Sequence, residues 1–529
     1  MTGDHSPKVP SSPFAPILPL FLTAVDSDLF TFLEEVHALV QENLSLLASV
    51  DKDLDAHSLR KKAERVADAQ WFASQTLPLP GIPEPAKEPG LPLVLQEGRP
   101  RTSAYVVLVA MLLRGYSGAG FKSAEVTSFM QESITLRVFF TNLGVSIPGR
   151  STLTELVNVV SNETRNLLLD AQLARALRLK LDDFKTVFQD STHVAGNTAW
   201  PTDSRLMVAI VSRLIRVGES LARVHLAPID CSKLRKSLSK MVRWSREIEF
   251  STGKKEGKRI RTRRYANLMA ASKRIHALMI GKVASVAAAA TALDQPPSIK
   301  RVAERAAARL LADLEALDQV RTTCEARVVR EEKVPMSEKI LSLSDPDVGF
   351  ISKGQRDPVV GYKPQVARSG SGFVVGLLLP KGNAPDSQQL VVMIDGVAGH
   401  TTVLPDVVSV DDGYASTQNM EQLKKRKIKV ISINGAKGRA LTPREDWESD
   451  LYAEARNNRS AIESLMFTLK DGFDFGEVAR RGLSAVYAEL LEKVLAYNVC
   501  VTVRLRKTAV STPADRSATA SGQPMRDAA

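Results

Sequence analysis

Phe184-Lys-Thr-Val-Phe-Gln-Asp190 is the stretch that decides the fold. Aromatic and β-branched residues crowd it, as they do a strand, and it ends on a carboxylate. Strand texture returns after Val334, at Gly349 to Lys353, Pro364 to Arg368, Phe373 to Leu379, Val407 to Asp411 and Ile428 to Ile433. Helical periodicity fills the gaps: Gln388 to Val397 (capped by Asp386), Gln418 to Lys425, and one long helix from Trp447 to about Lys470. The sum is an α/β domain split in the middle by a large helical insertion.

Outward from that strand the chain reads as helix. Phe30, Phe32, Leu33, Val36, Leu39 and Val40 have three/four spacing, and residues 27 to 75 predict two helices. Leu77 to Pro100 holds seven prolines in 24 residues, which excludes helix and central strand. Residues 103 to 180 predict several short helices. A long one follows, starting at the Ser151 cap with Glu155 in its first turn. This order suits a helix-turn-helix-like DNA module as well as a plain bundle. Pro201-Thr-Asp-Ser204 caps an amphipathic helix carrying Leu206, Ile210, Leu214 and Ile215. The predicted division is 1–76, an N-terminal helical region; 77–102, a Pro-rich linker; and 103–180, the helical DNA-binding region. Next come 181–218, the first part of the catalytic domain; 219–335, a basic helical insertion; 336–505, the second part; and 506–529, a disordered tail.

The chain has 529 residues, 44% hydrophobic and 25% charged, the balance of a globular protein with a core. Its three cysteines, Cys231, Cys324 and Cys500, are far apart, which argues against a disulfide framework or a metal knuckle. The seven histidines form no pair with zinc spacing. No run approaches the roughly 20 apolar residues of a membrane span, and Asp4 and the nearby prolines do not suit a signal peptide. The expected location is the cytoplasm.

Lys and Arg number 71 against 59 acids, a net charge of +12. Cys231 to Lys282 holds 16 of those cations and three acids, Glu247, Glu249 and Glu256, so the rest of the chain is about neutral. The densest part, with Lys258, Arg259, Arg261, Arg263 and Arg264 around Tyr265, repels itself unless phosphates neutralise it. It is a candidate DNA contact; the alternative is a solvated helical face.

Three acids stand out. Asp190 and Asp411 end strands, and Glu463 lies in the long helix. Two strand-end acids and a helix acid are what two Mg²⁺ ions about 4 Å apart need for phosphoryl transfer. Arg459, Glu463, Met466 and Lys470 share one helical stripe, and Ile462, Leu465 and Leu469 form the apolar stripe beside it. Packing that stripe on the sheet brings Glu463 to its edge, with Arg459 and Lys470 placed to hold DNA phosphate. The competing reading is a surface helix with an ordinary ion pair.

Three blocks of residues then carry a likeness. The first is Asp190-Ser-Thr with Asn197 and Pro201-Thr-Asp-Ser204. The second is Glu338-Lys-Ile340 with Ser342, then Gly382-Asn383, Asp386-Ser387 and Asp411-Asp-Gly-Tyr-Ala-Ser416. The third is Arg459-Ser with Glu463, Leu469-Lys470, Gly472 and Arg481-Gly-Leu483. In this order, over roughly residues 100 to 505, the chain resembles bacterial insertion-sequence transposases of the DDE class, most closely the ISNCY group. The resemblance implies an RNase H-like catalytic domain. It also implies two Mg²⁺ ions (Mn²⁺ able to substitute) held by Asp190, Asp411 and Glu463, and DNA cleavage and joining at element ends. The partners it implies are terminal inverted repeats, target DNA and further copies of the chain, on the bacterial nucleoid. Three positions depart from the pattern: Arg456 replaces a Tyr, Asp412 a Gly, and Arg480 an aromatic residue.

Other acids compete less well. Asp395 falls on a helix surface by its spacing from Leu390, Ile394 and Val397. Asp412 points to the opposite strand face from Asp411. Asp203 reads as a cap, and His193 as structural or solvent-facing. The reading is a DDE transposase. Two alternatives are a transposase-derived DNA-binding protein without chemistry and a nuclease that cuts without joining.

Overall fold

The computed structural model describes residues 26–75, 102–116, 123–226, 229–291, 295–352 and 357–510. The Pro-rich Leu77–Pro100 stretch and most of the expected tail lie outside the described residues. Two helices, α1 (Ser27–Glu42) and α2 (Leu44–Gln75), come first, and Asp26 caps α1 by accepting from the Asp28 and Leu29 N–H groups. Next are α3 (Ala104–Tyr116), α4 (Ser123–Glu132) and α5 (Ile134–Asn142).

The expected single helix from Ser151 to Lys180 is two. They are α6 (Arg150–Val159), with Gly149 rather than Ser151 at its cap, and α7 (Asn162–Arg178), capped by Ser161. The break is held from a distance. Asp53 Oδ2 accepts from Ser161 N at 2.8 Å and from the Thr164 hydroxyl at 2.7 Å, so the chain restarts its helix at Ser161.

Strands β1 (Thr186–Ser191) and β2 (Val194–Ala195) follow, then α8 (Asp203–Arg223), α9 (Cys231–Glu249), α10 (Lys255–Thr291) and α11 (Pro297–Val328). Thr202 caps α8, and Asp203 instead pairs with Arg327 Nη1 at 2.8 Å. The remaining strands are β3 (Gly349–Ile351), β4 (Val359–Tyr362), β5 (Gln365–Ser369), β6 (Val374–Leu378), β7 (Val407–Asp411) and β8 (Val430–Asn434). Between and after them come α12 (Leu390–Thr401), α13 (Thr417–Lys425), α14 (Ala436–Leu441), α15 (Arg444–Trp447), α16 (Asp450–Asn457), α17 (Ser460–Gly472) and α18 (Leu483–Val510). The expected helix from Trp447 to Lys470 is therefore three pieces, and Ser449 caps the middle one. The helix α18 runs through residues 506–510, which the sequence pattern assigns to the tail.

The described residues within 1–56, 100–197 and 351–529 form one compact unit, and those within 57–99 and 198–350 form the other. The first is built on a five-stranded mixed sheet in the order β6-β5-β1-β7-β8. β5 runs antiparallel to both its neighbours, β6 and β1, and β1, β7 and β8 run parallel. The short β2 pairs with β4 in a separate sheet. Helix α12 packs on β5 and β6, α16 on β7 and β8, and α17 on β1 and β5; α18 packs on β6, α3 and α7. The α3 helix is buried from Ala104 to Leu113, so it is a core element rather than an exposed reading helix.

The second unit is helical. Leu206, Ile210, Leu214 and Leu221 of α8 share one core with Leu234 and Met241 of α9, Leu268 and Met279 of α10, and Leu310 and Leu317 of α11. These positions recur at three/four spacing, so each helix turns one apolar stripe inward. The helix α8, which the sequence pattern places with the catalytic domain, packs here against α9 and α11.

Candidate active site

Strand β1 carries Asp190 to the middle of the first unit's sheet. Its parallel register with β7 sets Thr186 beside Val407 and Phe188 beside Ser409. Side chains alternate along a strand, so the same register two residues on places Asp190 beside Asp411 on one face. Asp190 is buried, and Asp411 is half-buried at the strand end, where its Oδ1 accepts from Gly413 N at 2.9 Å. Asp412 turns elsewhere: its Oδ1 accepts from Gly438 N at 2.9 Å, at the start of α14.

Helix α17 supplies the third acid. Ile462, Leu465, Met466 and Leu469 are buried against the sheet, so Met466 belongs with the apolar stripe. Glu463 stays exposed, with 57% of its side chain open to solvent. Arg459, just before the helix, reaches two of the acids at once. Its Nη1 lies 3.9 Å from Asp190 Oδ2 and its Nη2 donates to Glu463 Oε1. Lys470 stands two turns beyond Glu463, about 10 Å along the axis. Among the described residues no three His, Cys, Asp or Glu side chains are grouped to hold one metal ion. The register of β1 on β7 thus points Asp190 toward Asp411, and Arg459 links Glu463 to Asp190, without closing the three into one ligand set.

A fourth acid enters to which the sequence reading gives no ligand role, Asp386, read there as a helix cap within the second block. Asp386 caps nothing with its side chain; α12 starts from Gln389. Its Oδ1 instead accepts from Gln365 Nε2 at 2.7 Å and from Lys363 Nζ at 2.9 Å. Gln365, buried on β5, also accepts from the Tyr414 hydroxyl. Burial first, then the charges of Asp386, Asp190 and Asp411, hold that phenol well above its usual value. One buried hydroxyl therefore senses three carboxylates. Gly413 keeps the gap between two of them open, because a Cβ there would lie 3.0 Å from Asp411 Oδ1 and 3.5 Å from Asp386 Oδ2. Hard carboxylate oxygens around such a gap suit a hard divalent cation. The signal for Asp386 was its place in the second sequence block, and its role depends on β5, which sequence spacing does not reach.

The competing residues are accounted for. Asp395 is held by Arg426, Nε to Oδ1 at 2.6 Å and Nη2 to Oδ2 at 2.7 Å. His193 lies half-buried between β1 and β2. Arg456 stacks on Trp447 at 5.2 Å, and the half-buried Arg480 pairs with Glu492 at 3.0 Å.

The basic segment lies in the second unit. Lys258, Arg259 and Arg263 of α10 are exposed. Arg261 donates to the Thr252 carbonyl at 3.3 Å, and Arg264 is held by Glu247. Tyr265 turns inward rather than standing among the arginines; burial, then the Asp203 charge, raises its hydroxyl to about 12. Between α9 and α10 a groove of about 320 Å³ is lined by Lys233, Lys240, Trp244 and Arg274, a basic wall with one aromatic side chain.

Among the described residues no helix is long and apolar enough to cross a membrane. No curated protein and no solved structure matches the chain. Residues 347–499 match the family model described as a transposase DDE domain. That match includes Asp411 and Glu463 and stops short of Asp190. A DDE domain implies an RNase H-like fold, and the mixed sheet is in keeping with it. The match supports a DDE transposase family for this chain.

Proposed function

We propose that the chain is a DDE transposase of the ISNCY kind, which cleaves DNA at the ends of an insertion sequence and joins the freed 3′ ends to target DNA. The observation that carries this reading is the parallel register of β1 on β7, which carried two residues on sets Asp190 against Asp411, inside a sheet whose later strands match a transposase DDE domain. Asp190, Asp411 and Glu463 would hold two divalent ions, Mg²⁺ or Mn²⁺. When bound, such ions activate the attacking oxygen and stabilise the leaving one. Arg459 neutralises Asp190 and Glu463 and, with Lys470, stands ready to take DNA phosphate. The α10 cations would hold flanking DNA without reading its sequence. The partners are the element's terminal repeats, target DNA and a second copy of the chain or more. The helical region 103–180 is proposed as the end-reading region, with the buried α3 as its support and not as a reading helix.

A second reading, a DNA-binding descendant without chemistry, draws on the same Arg459 bridge, because a guanidinium already balances two of the three acids. One experiment separates the two: end binding and strand nicking on DNA carrying the element's own termini, for wild type and Glu463→Gln. An amide is a poor Mg²⁺ ligand, so nicking is expected to fall by orders of magnitude while binding survives. Near wild-type nicking by the variant removes Glu463 from the site. A wild type that binds ends yet never nicks with Mg²⁺ or Mn²⁺ favours the binding-only reading.

A further inference from the structure

The second unit carries a concentration of positive charge that lies outside the basic segment. Helices α8 and α11 run antiparallel, because Asp203 pairs with Arg327 at one end and Arg213 with Asp313 further along. Between them lies a groove of about 280 Å³. Arg213 and Arg216 line it from α8, and Arg305 and Arg309 from α11. Val217 and Ala306, both buried, lie among these arginines. Each helix offers its groove residues at the same three/four spacing, so all four guanidiniums belong to facing sides of two helices.

Arg213 is tied into the packing, with Nη2 at 2.9 Å from Asp313 Oδ1 and Nη1 donating to the Leu343 carbonyl. Among the described residues Arg216 donates only to the Ser212 carbonyl of its own helix at 3.4 Å, and Arg216 and Arg309 act on Asp313 through charge alone. Arg216, Arg305 and Arg309 are exposed. Of the nearby acids, Asp313 is taken by Arg213 and Glu219 by Arg235, and exposed Glu304 of α11 leaves the four arginines in excess. Like charges held side by side raise the energy of the empty groove, and an anion relieves it.

We propose that this groove is a binding site for phosphate oxyanions, seated on Arg216, Arg305 and Arg309 with Arg213 as the fixed rear wall. Guanidinium forks match phosphate oxygens two at a time, which favours phosphate over a simple halide. Arg305 and Arg309 are about 6 Å apart along their helix, and Arg213 and Arg216 about 4.5 Å along theirs. With Asp313 opposite Arg213, the antiparallel register puts Arg216 and Arg309 at about one height and Arg213 and Arg305 at opposite ends, a row of cations roughly 12 Å long that fits successive phosphates. A nucleic-acid backbone and a free oligophosphate both present that chemistry. The groove is independent of the acidic cluster of the first unit.

The test uses the full chain, as wild type and as R216Q/R305Q/R309Q; Arg213 is kept because it holds Asp313 and Leu343. Two probes are used: a short labelled duplex of arbitrary sequence, titrated across a range of salt, and inorganic tripolyphosphate, followed by the rise in melting temperature. If backbone phosphates fill the groove, the variant's slope of log affinity against log salt falls by about 0.9 per lost contact, close to 2.7 for all three. If a free oligophosphate fills it, tripolyphosphate raises the wild-type melting temperature and leaves the variant's unchanged, with equal DNA slopes. Either result supports the site and names its source. Equal slopes together with equal tripolyphosphate responses overturn it. Should the triple variant melt below wild type without ligand, R305Q/R309Q, confined to exposed positions of one helix, replaces it, with a slope change of about 1.8.

Discussion

Arg459 lies 3.9 Å from Asp190 and also donates to Glu463, so one guanidinium ties a buried strand-end acid to an exposed helix acid. It is the natural competitor of any cation that those two acids could hold. Arg459→Gln is expected to tighten Mn²⁺ binding by roughly two- to fivefold, the size of a part-exposed pair worth up to about 1 kcal/mol. Calorimetric titration of Mn²⁺ checks this, without reference to DNA. An unchanged or weaker affinity would show that the guanidinium does not compete for these carboxylates.

Arg259 and Arg263 project from α10 into solvent. Neutralising both, as R259Q/R263Q, is expected to weaken binding to every DNA sequence alike. The salt slope should drop by about 1.8. If the slope holds, the basic face of α10 is only solvated surface.

Glu492 is the buried counter-charge of the first unit, at 2.6 Å from Arg165, 3.0 Å from Arg480 and 3.7 Å from Arg114. Burial alone would raise its carboxyl, but Arg114, Arg480 and Arg165 overcome this and bring it down to about 2. Glu492→Gln leaves buried Arg165 and the half-buried Arg114 and Arg480 without their anion and is expected to cost about 3–5 kcal/mol in urea unfolding. A variant as stable as wild type would show that the cluster does not need its charge.

The sign of the pH effect follows from the same carboxyl. A group with a depressed folded-state value contributes fully above its unfolded value near 4.5 and loses that contribution as pH falls toward about 2. Wild-type stability should therefore decline across that window by more than the decline in Glu492→Gln. Parallel acid-unfolding curves would contradict this.

Gly435 has φ of +138°, and a Cβ there would lie 2.4 Å from Asp412 Cγ. Gly435→Ala is expected to cost at least about 1–3 kcal/mol from the backbone alone. It would also push Asp412 off the Gly438 N–H, next to Asp411. Thermal unfolding and nicking, measured together, should both fall. A variant with unchanged melting temperature would rule out this crowding.

Much of the fold is legible where the pattern is local. Val407 to Asp411 is a strand with the bounds its alternation predicts, and residues 27–75 form two helices because their apolar positions repeat every three or four residues. Asp190, Asp411 and Glu463 stand out as strand ends and a helix stripe, which need only neighbours in sequence. What tertiary structure decided lies where distant partners meet. Asp53 ends one helix and starts another at Ser161, more than a hundred residues away. Strand β4 exists through its pairing with β2 across the whole helical unit, where Gly361 lets the Val194 carbonyl approach too closely for any side chain. Asp386 joins the candidate site because β5 presents Gln365 to it, and Arg459 takes two acids because α17 packs on β1. Periodicity specifies which face of an element is apolar. Which polar groups finally face one another is specified only when those faces close, since a buried donor or acceptor must then find its partner wherever the fold has brought one.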